Sequence, residues 1–280
     1  MHSNPFSEEE LSRRLSATRQ EMAVRGLDLV LLSAPEHVFY LTGLDHWGYF
    51  APHVLIVAAE GELVLVTRAM EHVAIRNQVR NATFIGHSDS ESAADVVVKH
   101  LKDASSGKTI GLEAASAGLS YAMGQALKQG IDGASWVDIT GMLDEMRLVK
   151  STEEQRFMKS AAVASDAGTQ AAINAIHDGA READVAAECL AAMTRAGGTP
   201  PGFGPFLRPS HRMAEEHTTW GDGEHHDAVF LEIAGCVARY NAPMGRLVNI
   251  GRISDEDAEM ANICGEAFDA TLRALKVGAR

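Results

Sequence analysis

"RLVKSTEEQRFMKSAAVASDAG", residues 147–168, is the stretch at which the chain changes character. Ser151 followed by Glu154 forms a capping-box pattern, in which each side chain satisfies the other's free backbone N–H at a helix start. The alanine-rich run behind it predicts a long helix to about Ile176. The change to a long alanine-rich helix sets a boundary near residue 147, with one domain over 1–147 and another over 148–280.

Working back from that boundary, helix and strand signals alternate. Ser7 and Glu10 repeat the capping box, and Leu11, Leu15 and Met22 share one helical face that ends at Gly26. "DLVLLS" (28–33) reads as a buried strand, and "HVLIVA" (53–58) with "ELVLVT" (62–67) as a hairpin across Glu60-Gly61. "TFIGH" (83–87), "KTIGLE" (108–113) and "SWVDIT" (135–140) read as further strands, with helices over 91–103 and 118–128 between them. Such alternation implies an α/β domain.

Working forward, "READVAAECLAAMTRAGG" (181–198) predicts a second helix, stopped by Gly197, Gly198 and the prolines at 200 and 201. Strand-like segments run from Phe203 to about Ile250, and a last helix covers roughly 254–275. Within them, "VFLEIAGCVARYNAPMGRL" (229–247) reads as a buried strand, a turn at Gly235-Cys236 and a second strand. It carries one carboxylate, Glu232, among apolar neighbours, and a buried carboxylate needs a partner or a purpose.

Composition narrows the function class. A chain that is 46% hydrophobic and 22% charged is globular. The formal net charge of −13 argues against nucleic acid or an anionic membrane as partner. "MHSNPFSEEE" has no apolar core of a secretory signal, and "VLIVAA" (54–59) is too short to cross a bilayer. Cys189, Cys236 and Cys264 have neither zinc-site nor disulfide-scaffold spacing, so a cytoplasmic location is expected.

The 147–168 stretch resembles the start of the catalytic domain in the creatinase, prolidase and aminopeptidase P superfamily. "APEHVFYLTGLDHWGYFAPHVLIV" (34–57) is similar to the N-domain stretch with the Tyr-Leu-Thr-Gly motif, and "HTTWGDGEHHDAVFLEIAGC" (217–236) to the histidine strand and first ligand strand. The resemblance implies an α/β N-terminal domain followed by a partial α+β pita-bread catalytic domain. Its members normally continue past this point to another histidine and two glutamates, so a C-terminally truncated fragment is expected.

The resemblance also assigns roles. Metal-dependent members carry Asp-x-Gly where Glu232 stands, and a second aspartate where this chain offers Asn241, Ala242 or Pro243, none of them charged. A pair of hard divalent ions needs several anionic oxygens, so no cofactor is expected, a metal ion entering only under a dipeptidase alternative. The "WGYFAP" (47–52) and "EIAGC…RY" (232–240) runs resemble the metal-free ectoine hydrolase type. Where creatinase-type enzymes hold a substrate carboxylate with arginine, this chain has Pro52 and His53.

His217 takes the general acid/base position, since breaking an amide or amidine requires a proton for the leaving nitrogen. Glu232 either binds a cationic amidinium-like substrate or attacks it, the alternative being a structural carboxylate satisfied by backbone N–H groups or by Arg239 or Arg246. Trp47, Phe50, His53, His211, Tyr240 and Arg246 are the expected substrate-binding residues. His225 and His226 are expected to face solvent and Cys236 to pack. The expected function is metal-independent hydrolysis of a C–N bond in a small nitrogenous solute, by a homodimer. The alternatives are a metal-dependent Xaa-Pro dipeptidase or aminopeptidase P, and an inactive fragment or binding module.

Overall fold

The computed structural model describes residues 3–102 and 105–279 and divides into two compact units, Met1–Glu153 and Glu154–Arg280. The first unit opens with α1 (Glu8–Val24), whose N-cap Ser7 accepts from the Glu10 N–H. The reciprocal arm of the expected capping box is supplied differently. Glu10 turns to Arg13 and Arg14, and the Ser7 N–H donates to Glu153 at 3.1 Å.

Six strands follow: β1 (Leu29–Leu32), β2 (Val54–Ala58), β3 (Leu63–Arg68), β4 (Ala82–His87), β5 (Thr109–Leu112) and β6 (Ser135–Asp138). They form one sheet in the order β4-β3-β2-β1-β5-β6. β2 runs antiparallel to both β1 and β3, the latter pairing being the expected hairpin, and the other neighbours are parallel. The unbroken "LVLL" of β1 reflects burial on both faces: Val30 and Leu32 enter one apolar cluster, Leu29 and Leu31 the other. Between strands lie α2 (Pro35–Thr42), α3 (His72–Gln78), α4 (Ala93–Leu101) and α5 (Tyr121–Gly130), and α6 (Met142–Met146) follows β6. Asp103, the last residue of the expected 91–103 helix, lies outside the described residues.

The second unit is built on α7 (Thr152–Ala175) and α8 (Glu182–Arg195), with β7 (Ala180–Arg181) between them. β8 (Phe206–Pro209), β10 (Ala228–Val237) and β11 (Tyr240–Asn249) form an antiparallel sheet in the order β11-β10-β8, while β9 (Glu224–His225) pairs with β7. Leu207, Leu231 and Ile233 pack against Ala172 of α7 and Val185, Cys189 and Met193 of α8. Helix α7 lies so close to β10 that a Cβ on Gly235 would stand 2.4 Å from the Ala161 carbonyl oxygen. Strand alternation then puts Phe206, Arg208, Phe230 and Glu232 on the face away from that core.

The expected turn at Gly235-Cys236 is corrected. Both residues lie inside β10, and the chain reverses at Ala238 (φ 48°) and Arg239 (φ 63°). A two-residue loop with both φ positive matches the twist of a hairpin, and the ten-residue ladder from Ala228↔Asn249 to Val237↔Tyr240 holds it without glycine. Helix α9 (Asp255–Ala274), capped by Ser254, has no buried residue. Among the described residues no helix is long and apolar enough to cross a membrane.

Candidate active site

On the open face of the β8–β10–β11 sheet, Glu232 and the exposed His217 share one neighbour, Phe206. Glu232 lies opposite Phe206 on β8 and Gly245 on β11. It is half-buried on the open face, which corrects its reading as an acid enclosed in an apolar strand. Neither Arg239 nor Arg246 pairs with it, and among the described residues its carboxylate has no hydrogen bond or ion pair. His217 packs the edge of its ring toward Phe206, centroids 6.2 Å apart, and Phe203 stacks on Phe206 at 5.0 Å. Phe206 is thus the platform that both His217 and Glu232 adjoin.

His217 is exposed and holds a left-handed backbone, φ 57°. A non-glycine residue in that region costs about 1–2 kcal/mol, so the loop around it must be held from outside. Arg212 holds it: Nη1 donates to Glu182 Oε2 at 2.9 Å and Nε to Glu215 Oε2 at 2.8 Å. Glu182 also accepts the Gly221 N–H at 2.6 Å, Arg208 donates to the Glu215 carbonyl, and Thr219 donates to the Pro205 carbonyl at 2.7 Å. The hydrogen bond to Glu215, with the charge of Glu182, raises the pKa of Arg212, and Arg212 in turn lowers that of Glu215. Sequence reasoning passed over Glu182 and named Arg208 and Arg212 only as neighbours of His211. Glu182 resembles any acid in a first helical turn, and only the strand register puts Arg208 on the site face.

The expected binding residues divide. Tyr240 and Arg246 are corrected: they alternate onto the opposite side of β11 from Gly245 and therefore from Glu232. The Tyr240 hydroxyl donates to Glu154 Oε1 at 2.9 Å and its ring stacks on Phe157, while Arg246 donates to the Gly245 carbonyl. His211 is exposed on the 3₁₀ turn after β8. Trp47 and Phe50, on the first unit, are 75% and 81% exposed. His53 is buried in that unit, its Nδ1 bonded to the Ala51 carbonyl at 2.9 Å and its Nε2 facing His46 Nε2 at 3.0 Å, so both ring nitrogens are engaged. Burial, with His46 and His87 nearby, lowers its pKa to about 4.

His225 is corrected too. It is wholly buried on β9, opposite Ala180 of β7; among the described residues neither ring nitrogen has a hydrogen bond, and burial lowers its pKa despite the charge of Glu182. His226 is exposed as expected and pairs with Asp178 at 2.8 Å. Cys236 is buried, as expected.

The first unit holds a polar cavity of about 320 Å³ that the sequence did not announce, lined by His37, Glu113, Ser116, Thr140, Asp144 and Arg147 among others. It opens where β1, β5 and β6 end, the edge at which parallel sheets present loops. His37 bridges the buried Glu113, through a short Nδ1 contact, and Asp144 Oδ1 at 3.0 Å.

An α/β domain followed by a helix-backed antiparallel sheet is the domain order of the two-domain hydrolases of pita-bread fold. Residues 14–149 match the creatinase/prolidase N-terminal domain and residues 156–280 match metallopeptidase family M24. The chain belongs to the M24 family, with a creatinase/prolidase N-terminal domain ahead of its M24 domain.

Two curated relatives with different names match at similar identity. The chain is 27% identical to the ectoine hydrolase of Halomonas elongata over 297 residues, which span 99% of this chain and 74% of that protein. It is 24% identical to the Xaa-Pro dipeptidase of Pyrococcus furiosus over 270 residues, spanning 96% and 73%. The prolidase from Pyrococcus horikoshii OT3 shares the fold, with a TM-score of 0.81 at 20% identity over 94% of this chain and 72% of that one.

Membership of a metallopeptidase family overturns the expectation of a site without a cofactor. Whether a metal fits is a question of donors. Among the described residues no group of three or more His, Cys, Asp and Glu is placed to hold one. On the face of Glu232, β11 offers Asn241, Pro243 and Gly245, none of them a carboxylate. The residues present do not form a metal centre by themselves, and no chemical step is assigned to one.

Proposed function

We propose that the M24 unit hydrolyses a C–N bond in a small nitrogenous solute, the type of reaction that the name of the Halomonas elongata relative describes. The observation that supports this reading is that His217 and Glu232 are both neighbours of Phe206. His217, exposed at the tip of a braced loop, is the group that moves a proton to the leaving nitrogen. Glu232, without an internal partner, pairs with an amidinium-like group or attacks the carbon between its nitrogens. Cleavage of an Xaa-Pro dipeptide is the second reading, favoured by the Pyrococcus furiosus relative. Trp47 and Phe50 are assigned to contact with a second copy of the chain, because large exposed aromatic side chains suit an interface.

The test assays the full chain with ectoine and an Xaa-Pro dipeptide in parallel, each after chelation and after Mn²⁺ addition. Ectoine opening that falls at least about 100-fold in His217→Asn and in Glu232→Gln supports the reading. Asparagine is chosen because it tolerates the left-handed backbone. Dipeptide turnover without ectoine turnover replaces the first reading with the second.

A further inference from the structure

Arg208 is a charged side chain in an unusual position. It is 7% exposed, yet among the described residues only its Nη1 is hydrogen-bonded, to the Glu215 carbonyl. Its Nε is buried with no partner. The neighbouring Glu215 carboxylate is turned to Arg212, and no carboxylate forms an ion pair with Arg208 among the described residues. Buried guanidinium groups are normally paired, because desolvated N–H donors without acceptors are unfavourable. An Nε–Nη2 edge without an acceptor has the fork geometry that a carboxylate satisfies with two parallel hydrogen bonds.

That fork is also fixed in place. The guanidinium stacks on Phe230, 4.4 Å from the ring centroid. The register Phe230↔Arg208 and Glu232↔Phe206 makes Arg208 and Glu232 diagonal neighbours on one face. Diagonal pairs stand about 7–8 Å apart. One cation and one anion thus share an aromatic floor of Phe206 and Phe230 without pairing with each other, below the loop that carries His217.

We propose that Arg208 is a specificity-determining residue of this site, holding the carboxylate of a small zwitterion whose nitrogenous end lies against Glu232. The proposal rests on the proposed function for the location of the site, but it concerns the ligand's anionic end, which that reading leaves open. Arg208 selects acids over the corresponding amides or esters, whichever C–N bond is cleaved.

Calorimetric titration of the full chain tests this with ectoine, glycyl-proline and the carboxamide of each. In the native chain the acid is expected to bind about 30-fold or more tighter than its carboxamide, the effect of removing one partner of a buried charge pair. In Arg208→Gln that preference collapses toward unity, and Arg208→Lys keeps only part of it. Should Arg208→Gln fail to fold, the native chain with acid and amide, together with Arg208→Lys, still decides. Equal binding of acid and amide to the native chain, or an unchanged preference in a folded variant, overturns the proposal, as does failure of both acids to bind. An acid preference shown by glycyl-proline alone, lost in the Arg208 variants, sustains Arg208 as the anchor and overturns the solute reading.

Discussion

Arg212 and Glu182 are joined by a 2.9 Å hydrogen bond across thirty positions of sequence, between a loop and the first residue of α8. The two ends are unequally placed: the Glu182 side chain is 1% exposed and that of Arg212 21%. Removing one partner of a buried pair is worth about 3–5 kcal/mol when the survivor is left buried. Arg212→Ala strands Glu182 with little besides the Gly221 N–H, whereas Glu182→Gln leaves Arg212 near water and bound to Glu215. We expect Arg212→Ala to lower stability by about 3 kcal/mol or more and Glu182→Gln by clearly less, with faster proteolysis across 211–221 in both. Denaturant melts and limited proteolysis measure it, and equal effects from the two variants would count against the asymmetry.

His53 makes the first unit sensitive to acid. Its pKa is lowered to about 4, against about 6.5 in an unfolded chain. The unfolded state therefore binds the proton first, so stability is full above pH 6.5 and declines as pH falls toward 4. The depression corresponds to about 3 kcal/mol. Thermal melts between pH 7 and 4 should show that loss, and His53→Gln should flatten it. A melting temperature with the same acid slope in the variant would assign the effect elsewhere.

Much of the fold was legible because burial writes periodicity into sequence. The all-apolar β1 and the helix opening after Ser151 follow from residues next to one another. The site was legible only in part, because register is a relation between distant segments. "ARYNAPMGR" offers Tyr240, Pro243 and Arg246 equally to the reader, and only the pairing Glu232↔Gly245 sends the first and last to the far face. The turn was misplaced because Gly235 signals a bend in sequence, while its real reason is the approach of α7.

Gly235 supplies a prediction of its own. A Cβ there would meet the Ala161 carbonyl oxygen at 2.4 Å and the Ser165 nitrogen at 2.6 Å, both backbone atoms of a helix that cannot yield as a side chain would. Ser165 also donates from Oγ to the Ala242 carbonyl and accepts the Gly235 N–H at 2.8 Å, so a shift of α7 breaks a tie to both strands. Overpacking costs about 1–3 kcal/mol where side chains can adjust. We expect Gly235→Ala to reach at least the top of that range by chemical denaturation. A change under about 0.5 kcal/mol, the size of an ordinary surface effect, would mean that the helix and strand separate easily.

His37 sets the opposite limit to His53. Burial works against its charge, but the hydrogen bond and charge of Glu113, with Asp144 on the other ring nitrogen, raise its pKa above the ordinary value. The folded state then holds the proton longer than the unfolded chain does, so the stabilisation is complete below pH 6.5 and fades as pH rises through the raised value. Glu113 is fixed for this purpose by the Ser33 and Ala34 N–H groups, at 3.1 and 3.2 Å, ahead of α2. Glu113→Gln removes the charge but keeps a similar shape. The NMR titration of His37 should therefore move to lower pH, and the variant should lose more stability at pH 6 than at pH 9. An unshifted His37 titration would show that Asp144 alone sustains the charge. His53 and His37 thus act in opposite directions, the first losing stability on the acid side and the second on the alkaline side.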